Sequence, residues 1–380
     1  MFTRMRTVAV GALLVLGLAA CGGQGAGGGG GAGAGAAPGD LTVGVSMPTQ
    51  TSERWIADGN AVRDQLTAAG YQVDLQYAGD DIPTQSQQID QMVTSGADLL
   101  LVAAIDGTAL SGQLQAAKDA GIPVIAYDRL IRESPNVDFY VTFDNFQVGV
   151  AQAKALLRGM GLQDADGAPG PEKGPVVVEL FAGSLDDNNA FYFFDGAMSV
   201  LKPLIDNGTV RVKSGQTTIE QAATLRWAQE TAQKRMEDLL TSSYNDGSRP
   251  DGVLSPYDGI SRGVITALQN AGFGTAAKPM PTVTGQDAEI ASVKLIDDGV
   301  QSSTVFKDTR KLAEQAVTAS KAFLDGGTPQ ANDTTTYDNG VKVVPSFLLP
   351  VRTVFKADIR QVLVDSGYYT AEDVARGRQG

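Results

Sequence analysis

Residues 41–46 read LTVGVS and residues 99–104 read LLLVAA, two apolar runs separated by stretches of helical length. Runs this dense in apolar and β-branched residues are typical of parallel strands buried on both faces. After the first run, apolar or small residues recur at spacings of three and four, which indicates one face of a helix: Trp55, Gly59, Val62, Leu66 and Ala69. Gly70 follows directly, as a helix C-terminus often requires. This part of the chain therefore predicts a strand followed by a helix.

The same unit recurs along the chain. Residues 109–120 form a second helical stretch, closed by Gly121 and Pro123, and further apolar runs begin at Val73, Val124, Phe139, Val176, Val210, Val253, Val283 and Thr304. Repeated β-α units imply parallel sheets with helices on both faces. About ten strands are too many for one comfortable open sheet, and 380 residues are long for one core. We therefore expect an α/β fold with two doubly wound parallel-sheet lobes.

The composition excludes several classes of function. The chain carries a formal net charge of −13, which opposes binding to nucleic acid or to anionic lipid. It has no histidine, which excludes nucleophilic triads and imidazole metal sites. Its one cysteine, Cys21, excludes an intrachain disulfide. No GxxxxGK[ST] loop is present, so the chain is not itself an ATPase.

The first residues have the features of an export signal. Arg4 and Arg6 precede an apolar run too short to span a bilayer, and residues 18–20 (LAA) supply the small residues of a cleavage site. Cys21 follows, and the arrangement resembles the lipobox of bacterial lipoproteins. Residues 1–20 are thus predicted to be a signal peptide, and Cys21 to be lipidated. The alternative is a chance cleavage site beside an idle thiol.

Residues 22–39 are rich in glycine and alanine and are predicted to be a flexible tether. A lipid at one end of a tether and a folded domain at the other would hold the protein at a membrane without spanning it. We therefore expect an exported protein, lipid-anchored to the outer face of the cytoplasmic membrane.

Polar residues cluster where the predicted strands end. In open α/β sheets, ligands bind outside the carboxyl ends of the strands. The clusters contain residues of four types that suit sugar hydroxyls, because carboxylates accept their protons and Arg or Lys donate to their oxygens: Arg54, Asp106, Asp128, Arg129, Asp144, Asn145, Asp186, Asp187, Asn188, Asn189, Asp258, Asp287 and Lys307. The two tryptophans, Trp55 and Trp227, each follow an arginine and are candidates to cover the apolar face of a sugar.

Each of these residues also has a structural interpretation. A single Asp after a strand is often a turn residue or a helix N-cap. Trp55 lies on a helical stripe and could belong to the core, and Lys307 could lie on a solvated face. Asp186 and Asp187 could bind Ca²⁺, although the regular ligand spacing of an EF-hand is absent. We predict no metal site and no cofactor.

Taken in order, the motifs resemble those of the D-xylose-binding and multiple-monosaccharide-binding proteins of ABC importers, which are type I periplasmic binding proteins. The resemblance covers residues 41–370 and rests on an ordered series: Met47-Pro-Thr, Glu53-Arg-Trp, Ile105-Asp-Gly, Ala126-Tyr-Asp-Arg-Leu-Ile, Phe143-Asp-Asn-Phe-Gln-Val-Gly, Asp187-Asn-Asn-Ala, Leu254-Ser-Pro-Tyr-Asp-Gly, Gly285-Gln-Asp and Phe306-Lys-Asp-Thr. It implies two lobes joined by three hinge strands. The N-terminal lobe would comprise residues 40–143 and 308–344, and the C-terminal lobe residues 144–307 and 345–380.

The resemblance also implies the residues that contact a sugar: Arg54, Asp128, Arg129, Asp144, Asn188, Asp258, Asp287 and Lys307, with Trp55 and Trp227 as stacking candidates. Asn145, Asn189 and Gln286 are neighbours that would contribute instead. The broad-range members accept D-xylose, D-glucose, D-galactose or L-arabinose. Gln50 stands where some of them carry Lys, which argues against acidic sugars.

The predicted function is that of a monomeric receptor which captures a monosaccharide in an interlobe cleft and delivers it to an ABC permease. The alternative is a sugar sensor that presents its closed form to a membrane chemoreceptor or kinase. A glycoside-cleaving enzyme is disfavoured because adjacent carboxylates at 186 and 187 do not define the separation that such chemistry needs. A sugar-responsive repressor would need an N-terminal helix-turn-helix, where this chain has an export signal.

Overall fold

A six-stranded and a four-stranded parallel sheet form the frame of the computed structural model, which describes residues 37–379. The six-stranded sheet has the order β11-β5-β4-β3-β1-β2, with β1 at Thr42–Met47, β2 at Gln72–Tyr77, β3 at Leu99–Val102, β4 at Val124–Tyr127, β5 at Phe139–Phe143 and β11 at Ser346–Leu349. The four-stranded sheet has the order β7-β6-β8-β9, with β6 at Val176–Leu180, β7 at Val210–Val212, β8 at Gly252–Leu254 and β9 at Thr282–Val283. An antiparallel pair joins β10 at Thr304–Phe306 to β12 at Arg352–Val354.

Helices cover both faces of these sheets. They are α1 at Glu53–Ala68, α2 at Ile82–Thr94, α3 at Ser111–Asp119, α4 at Asn145–Gly159, α5 at Asn188–Asp206, α6 at Ile219–Ala222, α7 at Gln229–Ser243, α8 at Asp258–Asn270, α9 at Ile290–Asp297, α10 at Thr309–Leu324 and α11 at Ala371–Arg376. Short 3-10 turns lie at Pro38–Asp40, Leu225–Trp227 and Lys356–Asp358, and a π-helical turn lies at Arg360–Val364. Among residues 37–379, no helix combines the length and the apolar character needed to cross a bilayer.

The strand β3 illustrates why the sheets form. Successive strand side chains point to opposite faces, so Leu99 and Leu101 enter one apolar layer while Leu100 and Val102 enter the other. All four are fully buried. In the smaller sheet, Val253 and Leu254 likewise enter separate layers. A strand buried on both faces needs an unbroken apolar run, which is what the sequence supplies.

The helix α1 confirms the helical stripe read from the sequence. Trp55, Gly59, Val62 and Leu66 are buried on its inner face, and Gly70 follows with φ +95°, a conformation that favours glycine. At Gly59 a side chain would collide with the Tyr77 hydroxyl. The close approach of α1 to β2 therefore depends on this glycine.

The chain passes between the two halves of the molecule at three connections, which follow β5, β10 and β11. The helix α4 after β5 packs against α5, and α10 after β10 packs back against α1. The two-lobed α/β fold is thus as expected. The exact lobe boundaries stay a prediction, and β11 pairs with β5 in the larger sheet just beyond the predicted boundary at residue 344. The predicted signal peptide, Cys21 and the tether as far as residue 36 lie outside the described residues.

Candidate functional site

A cavity of about 340 Å³ lies between the two halves, at the carboxyl ends of the parallel strands. The larger half contributes lining from the loop before α1, from the start of α1 and from the end of β4, which includes Arg54, Trp55, Asp128 and Arg129. The smaller half contributes lining from segments after β6, β9 and β10 and from a turn before α7, including Asp187, Asn189, Trp227, Gln286, Asp287 and Lys307. The volume of the cavity is within the range of small-ligand sites.

Two cations and two carboxylates join the halves inside this cavity. Arg54 Nη1 lies 3.0 Å from Asp128 Oδ2 and 3.7 Å from Asp287 Oδ1. Lys307 Nζ lies 3.0 Å from Asp287 Oδ1 and 4.0 Å from Asp128 Oδ1. All four side chains are at most 7% exposed. Buried charges are tolerated only when they are paired in this way.

Neighbouring charges determine the protonation states of Asp128 and Arg54. Burial acts to raise the pKa of Asp128, but the neighbouring Arg54 and Lys307 charges outweigh burial and hold this pKa below its ordinary value. Burial likewise acts to lower the pKa of Arg54, whereas Asp128, Asp58 and Asp287 raise it well above its usual range. Asp128 is therefore an acceptor and Arg54 a donor throughout the neutral range.

Several polar atoms at the cavity have no hydrogen-bond partner among the described residues. They are Arg54 Nη2, Asp128 Oδ1, Arg226 Nη1, Asp287 Oδ1 and Trp227 Nε1. Asp287 Oδ1 is near the Lys307 ammonium but outside hydrogen-bond geometry. Leaving a buried donor or acceptor unpaired costs about 1–3 kcal/mol, and more for a charged group. A set of unmet donors and acceptors around one cavity indicates that a polar ligand completes it.

Two tryptophans form flat surfaces at the cavity. The Trp55 ring contacts the guanidinium groups of Arg54 and Arg129, whose central carbons lie 4.4 and 5.0 Å from its centroid. The Trp227 ring meets Phe193 and Tyr257 edge-on, with centroids 6.2 Å apart in each case. The Trp55 ring therefore makes cation–π contacts with two arginines, whereas the Trp227 ring packs against the edges of two aromatic rings.

The turn that carries Trp227 has an unusual backbone. Arg226 and Trp227 have φ of 54° and 57°, in the left-handed region that non-glycine residues rarely adopt. Such strain persists only where the surroundings hold it. Arg226 Nη1 lies 2.9 Å from Asp186 Oδ2, its backbone N–H donates to Ser184 Oγ, and the Trp227 ring lies over Gly183. These contacts place Trp227 at the cavity.

The structure brings most of the predicted site residues together. Those that line the cavity are Arg54, Trp55, Asp128, Arg129, Trp227, Asp287 and Lys307. Asp144 instead caps α4, where its side chain accepts from the Gln147 N–H, and borders a separate groove. Asn188 begins α5 without lining the cavity, whereas its neighbour Asn189 lines it.

Asp258 is fully buried behind the cavity wall. It accepts hydrogen bonds from the Glu289 N–H, from Gln301 Nε2 and from Thr304 Oγ1. Burial raises its pKa well above the ordinary range, and the nearby Glu289 adds to this effect. Asp258 thus ties together the segments that carry Asp287 and Lys307.

The predicted neighbours Asn189 and Gln286 also line the cavity, together with residues that were not among the predicted contacts. Asp187, Asn189 and Gln286 belong to the same strand-end clusters, so the rule that found Asp128 also applies to them. Asp80 follows β2 in the same manner. Phe193 lies within α5 and carries no such signal, because an apolar helical residue is ordinarily read as core.

Two parallel-sheet halves that enclose a charged, hydrogen-bonding cavity define a receptor for a small polar solute. The periplasmic binding protein domain family matches residues 43–328. The chain belongs to this family, in its type I branch.

Curated relatives and solved structures agree with this assignment. The chain is 56% identical over 333 residues to the multiple sugar-binding periplasmic receptor ChvE of Rhizobium radiobacter, covering 88% of this chain and 92% of the relative. It is 34% identical to the D-xylose-binding periplasmic protein of Escherichia coli, covering 88% and 93%. An ABC transporter solute-binding protein of Clostridium phytofermentans, solved with bound β-D-glucose, is 45% identical with a TM-score of 0.81, covering 88% and 99%.

Proposed function

We propose that this protein captures a neutral monosaccharide in the cavity between its halves and delivers it to the permease of an ABC sugar importer. The observation that carries the proposal is the set of unpaired polar atoms on Arg54, Asp128, Asp287 and Trp227 around one cavity. Relatives that bind multiple sugars or D-xylose and a similar structure with bound β-D-glucose support the same ligand class. The ligands we expect are D-xylose, D-glucose, D-galactose or L-arabinose.

Sugar hydroxyls both donate and accept, which suits the mixed character of the free atoms. The Asp128 and Asp287 carboxylates accept hydroxyl protons, while Arg54 Nη2 and Trp227 Nε1 donate to sugar oxygens. Hydrogen bonds to charged groups contribute about 1.5–3 kcal/mol each. A few such bonds support a dissociation constant of about 1 μM, which corresponds to a binding free energy of about −8 kcal/mol.

We propose Arg54, Asp128, Arg129, Asp287 and Lys307 as polar contacts, with Trp227 against the apolar face of the sugar. The charged lining residues of both signs pair with one another, as Arg129 Nε does with Asp187 Oδ2 at 3.1 Å. A ligand without net charge leaves this balance intact. In this proposal the chain acts as a monomeric binding protein rather than as an enzyme.

Sugar binding and closure of the two halves are coupled in this proposal. The sugar contacts residues of both halves only when these lie together, so it shifts the population toward the closed form. The closed form is what the permease recognises. We further propose that lipid on Cys21 holds the protein at the outer face of the cytoplasmic membrane, close to that permease.

Calorimetry on the mature chain with Cys21→Ser tests the proposal. The titrants are D-xylose, D-glucose, D-galactose, L-arabinose, D-ribose and D-galacturonate. We expect a dissociation constant of about 1 μM for at least one neutral aldose, and at least tenfold weaker binding for Asp128→Asn, since one charged acceptor is lost.

Asp98→Asn is the matched control. Asp98 also lies next to a strand of the larger sheet, but at the opposite edge, where it accepts from the Thr42 N–H. This variant should bind sugar as the parent does. Absence of binding by every neutral aldose tested would overturn the sugar assignment.

A further inference from the structure

Behind the cavity wall lies a buried, hydrogen-bonded pair, Asp58 and Tyr127, of which Asp58 also bonds to the cavity-lining Arg54. We propose that Asp58 and Tyr127 are positioning residues, which fix the orientation of the Arg54 guanidinium at the cavity and thereby set sugar affinity. The inference rests on the proposed function. Neither residue belongs to the cavity lining, and both are fully buried.

The contacts form a chain that leads from the core to the cavity. Asp58 lies one turn after Arg54 on α1, and its Oδ2 accepts from Arg54 Nε at 2.8 Å. Its other oxygen, Oδ1, accepts from the Tyr127 hydroxyl at 2.5 Å. Tyr127 is the last residue of β4, directly before Asp128. Helix and sheet therefore hold one carboxylate between them.

The planar guanidinium makes this arrangement directional. Arg54 Nε bonds to Asp58 and Nη1 bonds to Asp128, while Nη2 has no partner among residues 37–379. Two bonds fix the plane of the group, because its donors form a rigid fork. Without the Asp58 bond the guanidinium is free to turn toward Asp128 and Asp287, which would use up the oxygens meant for the sugar.

The surroundings of Asp58 make its charge conditional. Burial raises the pKa of Asp58 from 3.8 to about 6, and nearby Asp128 adds to this, against the opposing effect of Arg54 and Tyr127. Tyr77 on β2 and Tyr368 near the C-terminus also sense its charge. Asp58 thus carries its charge at neutral pH and loses it in mild acid.

Protonation of Asp58 has opposite expected effects on folding stability and on sugar affinity. Because the folded pKa lies above the ordinary value, protonation of Asp58 favours the folded state, and that contribution is lost as pH rises through about 6. Acidification to about pH 5 therefore does not destabilise the fold through Asp58. Weaker sugar binding in that pH range would instead reflect the loss of the Asp58 charge that fixes the Arg54 guanidinium.

The test measures the dissociation constant for D-glucose and D-xylose between about pH 7.5 and pH 5 in the parent chain, Asp58→Asn and Tyr127→Phe. Parent affinity should fall as pH drops through about 6. Asp58→Asn should bind about tenfold more weakly at pH 7.5, with little further change toward pH 5. Tyr127→Phe should show a smaller loss. Calorimetry in buffers of different ionisation enthalpy should detect proton release on binding near pH 6, which Asp58→Asn abolishes.

The control is Glu179→Gln, which removes the charge of a buried carboxylate in the other half, bonded to Ser214 and Tyr244. It should lower the melting temperature and leave sugar affinity and its pH profile unchanged. Parent-like affinity in Asp58→Asn, or a parent-like pH profile in that variant, would overturn the positioning role. If Asp58→Asn fails to fold, weaker binding by Tyr127→Phe and proton release by the parent would support the positioning role. Parent-like affinity in Tyr127→Phe without proton release by the parent would overturn it. Failure of the parent to bind any sugar would instead refute the proposed function.

Discussion

Gly183, in the irregular segment between β6 and α5, is the residue that lets Trp227 approach the cavity. A methyl group at this position would overlap the Trp227 indole ring, whose outer edge lies over the glycine. Trp227 is also the aromatic residue that we propose as the platform for the sugar. Adding a single methyl group at Gly183 therefore tests whether the position of the Trp227 ring matters for sugar binding.

We predict that Gly183→Ala weakens D-glucose binding at least fivefold, because crowding of this kind costs about 1–3 kcal/mol. Titration calorimetry measures the affinity, and tryptophan fluorescence reports the displaced ring. The matched control is Gly112→Ala in α3, where an added methyl group meets nothing within 4 Å. That variant should bind normally and be as stable as the parent or more so. Unchanged affinity in Gly183→Ala would contradict the platform role of Trp227.

At the residue scale, the sequence was informative where chemistry follows position along the chain. Asp128, Asp287 and Lys307 were found because each follows a predicted strand, and parallel strands end at one edge. The contact of Asp58 with Tyr127 joins residues 69 apart in sequence. No local pattern encodes such a pair, and both residues would otherwise be read as parts of a helix and a strand. Positioning residues therefore emerge only from the folded structure.

Among the helices, α1 of the larger half and α9 of the smaller half start next to each other. Ser52, the N-cap of α1, makes no side-chain bond to its own helix. Its hydroxyl instead donates to Glu289 Oε1 at 2.8 Å, at the start of α9. The Tyr257 hydroxyl and Arg262 Nη2 hold the same carboxylate, at 2.8 and 2.6 Å. A rigidly held acceptor in one half thus receives a donor from the other half.

We predict that Ser52→Ala speeds sugar release by about threefold to tenfold, since one hydrogen bond to a charged group that exists only with the halves together is lost. Stopped-flow fluorescence with D-glucose measures the release rate. Ser199→Ala is the control, because the Ser199 hydroxyl bonds to Gly196 within its own helix. An unaltered release rate in Ser52→Ala would mean that this bond does not resist opening.

At the element scale, the apolar runs predict β1 to β10, including the two-residue strand β9, but miss β11 and β12. The strand β11, with Pro350 directly after it, was not recognised, since a short run ending in proline gives little signal. The turn at Leu225–Trp227 has no Gly or Pro to mark it, yet it has two positive φ angles. Tertiary contacts impose that conformation, so local sequence could not foretell it.

For the whole molecule, the division into two halves follows from length and strand number, whereas the predicted attachment to the membrane rests on Cys21, outside the described residues. The net charge of −13 opposes adsorption to anionic lipid. No described helix is suited to span a bilayer. The lipobox-like signal predicts that acyl chains on Cys21 provide the attachment.

We predict that the full-length chain, produced in a bacterium, enters the detergent phase on Triton X-114 partitioning, and that Cys21→Ser moves it to the aqueous phase. More than one acyl chain is needed for firm anchoring, so mass spectrometry of the N-terminal peptide should show multiple acylation. Gly22→Ser, which keeps the thiol, should partition like the parent. All three proteins should bind D-glucose equally, because the cavity is built from residues between Thr49 and Lys307. A parent chain found in the aqueous phase would contradict lipid anchoring without affecting the sugar site.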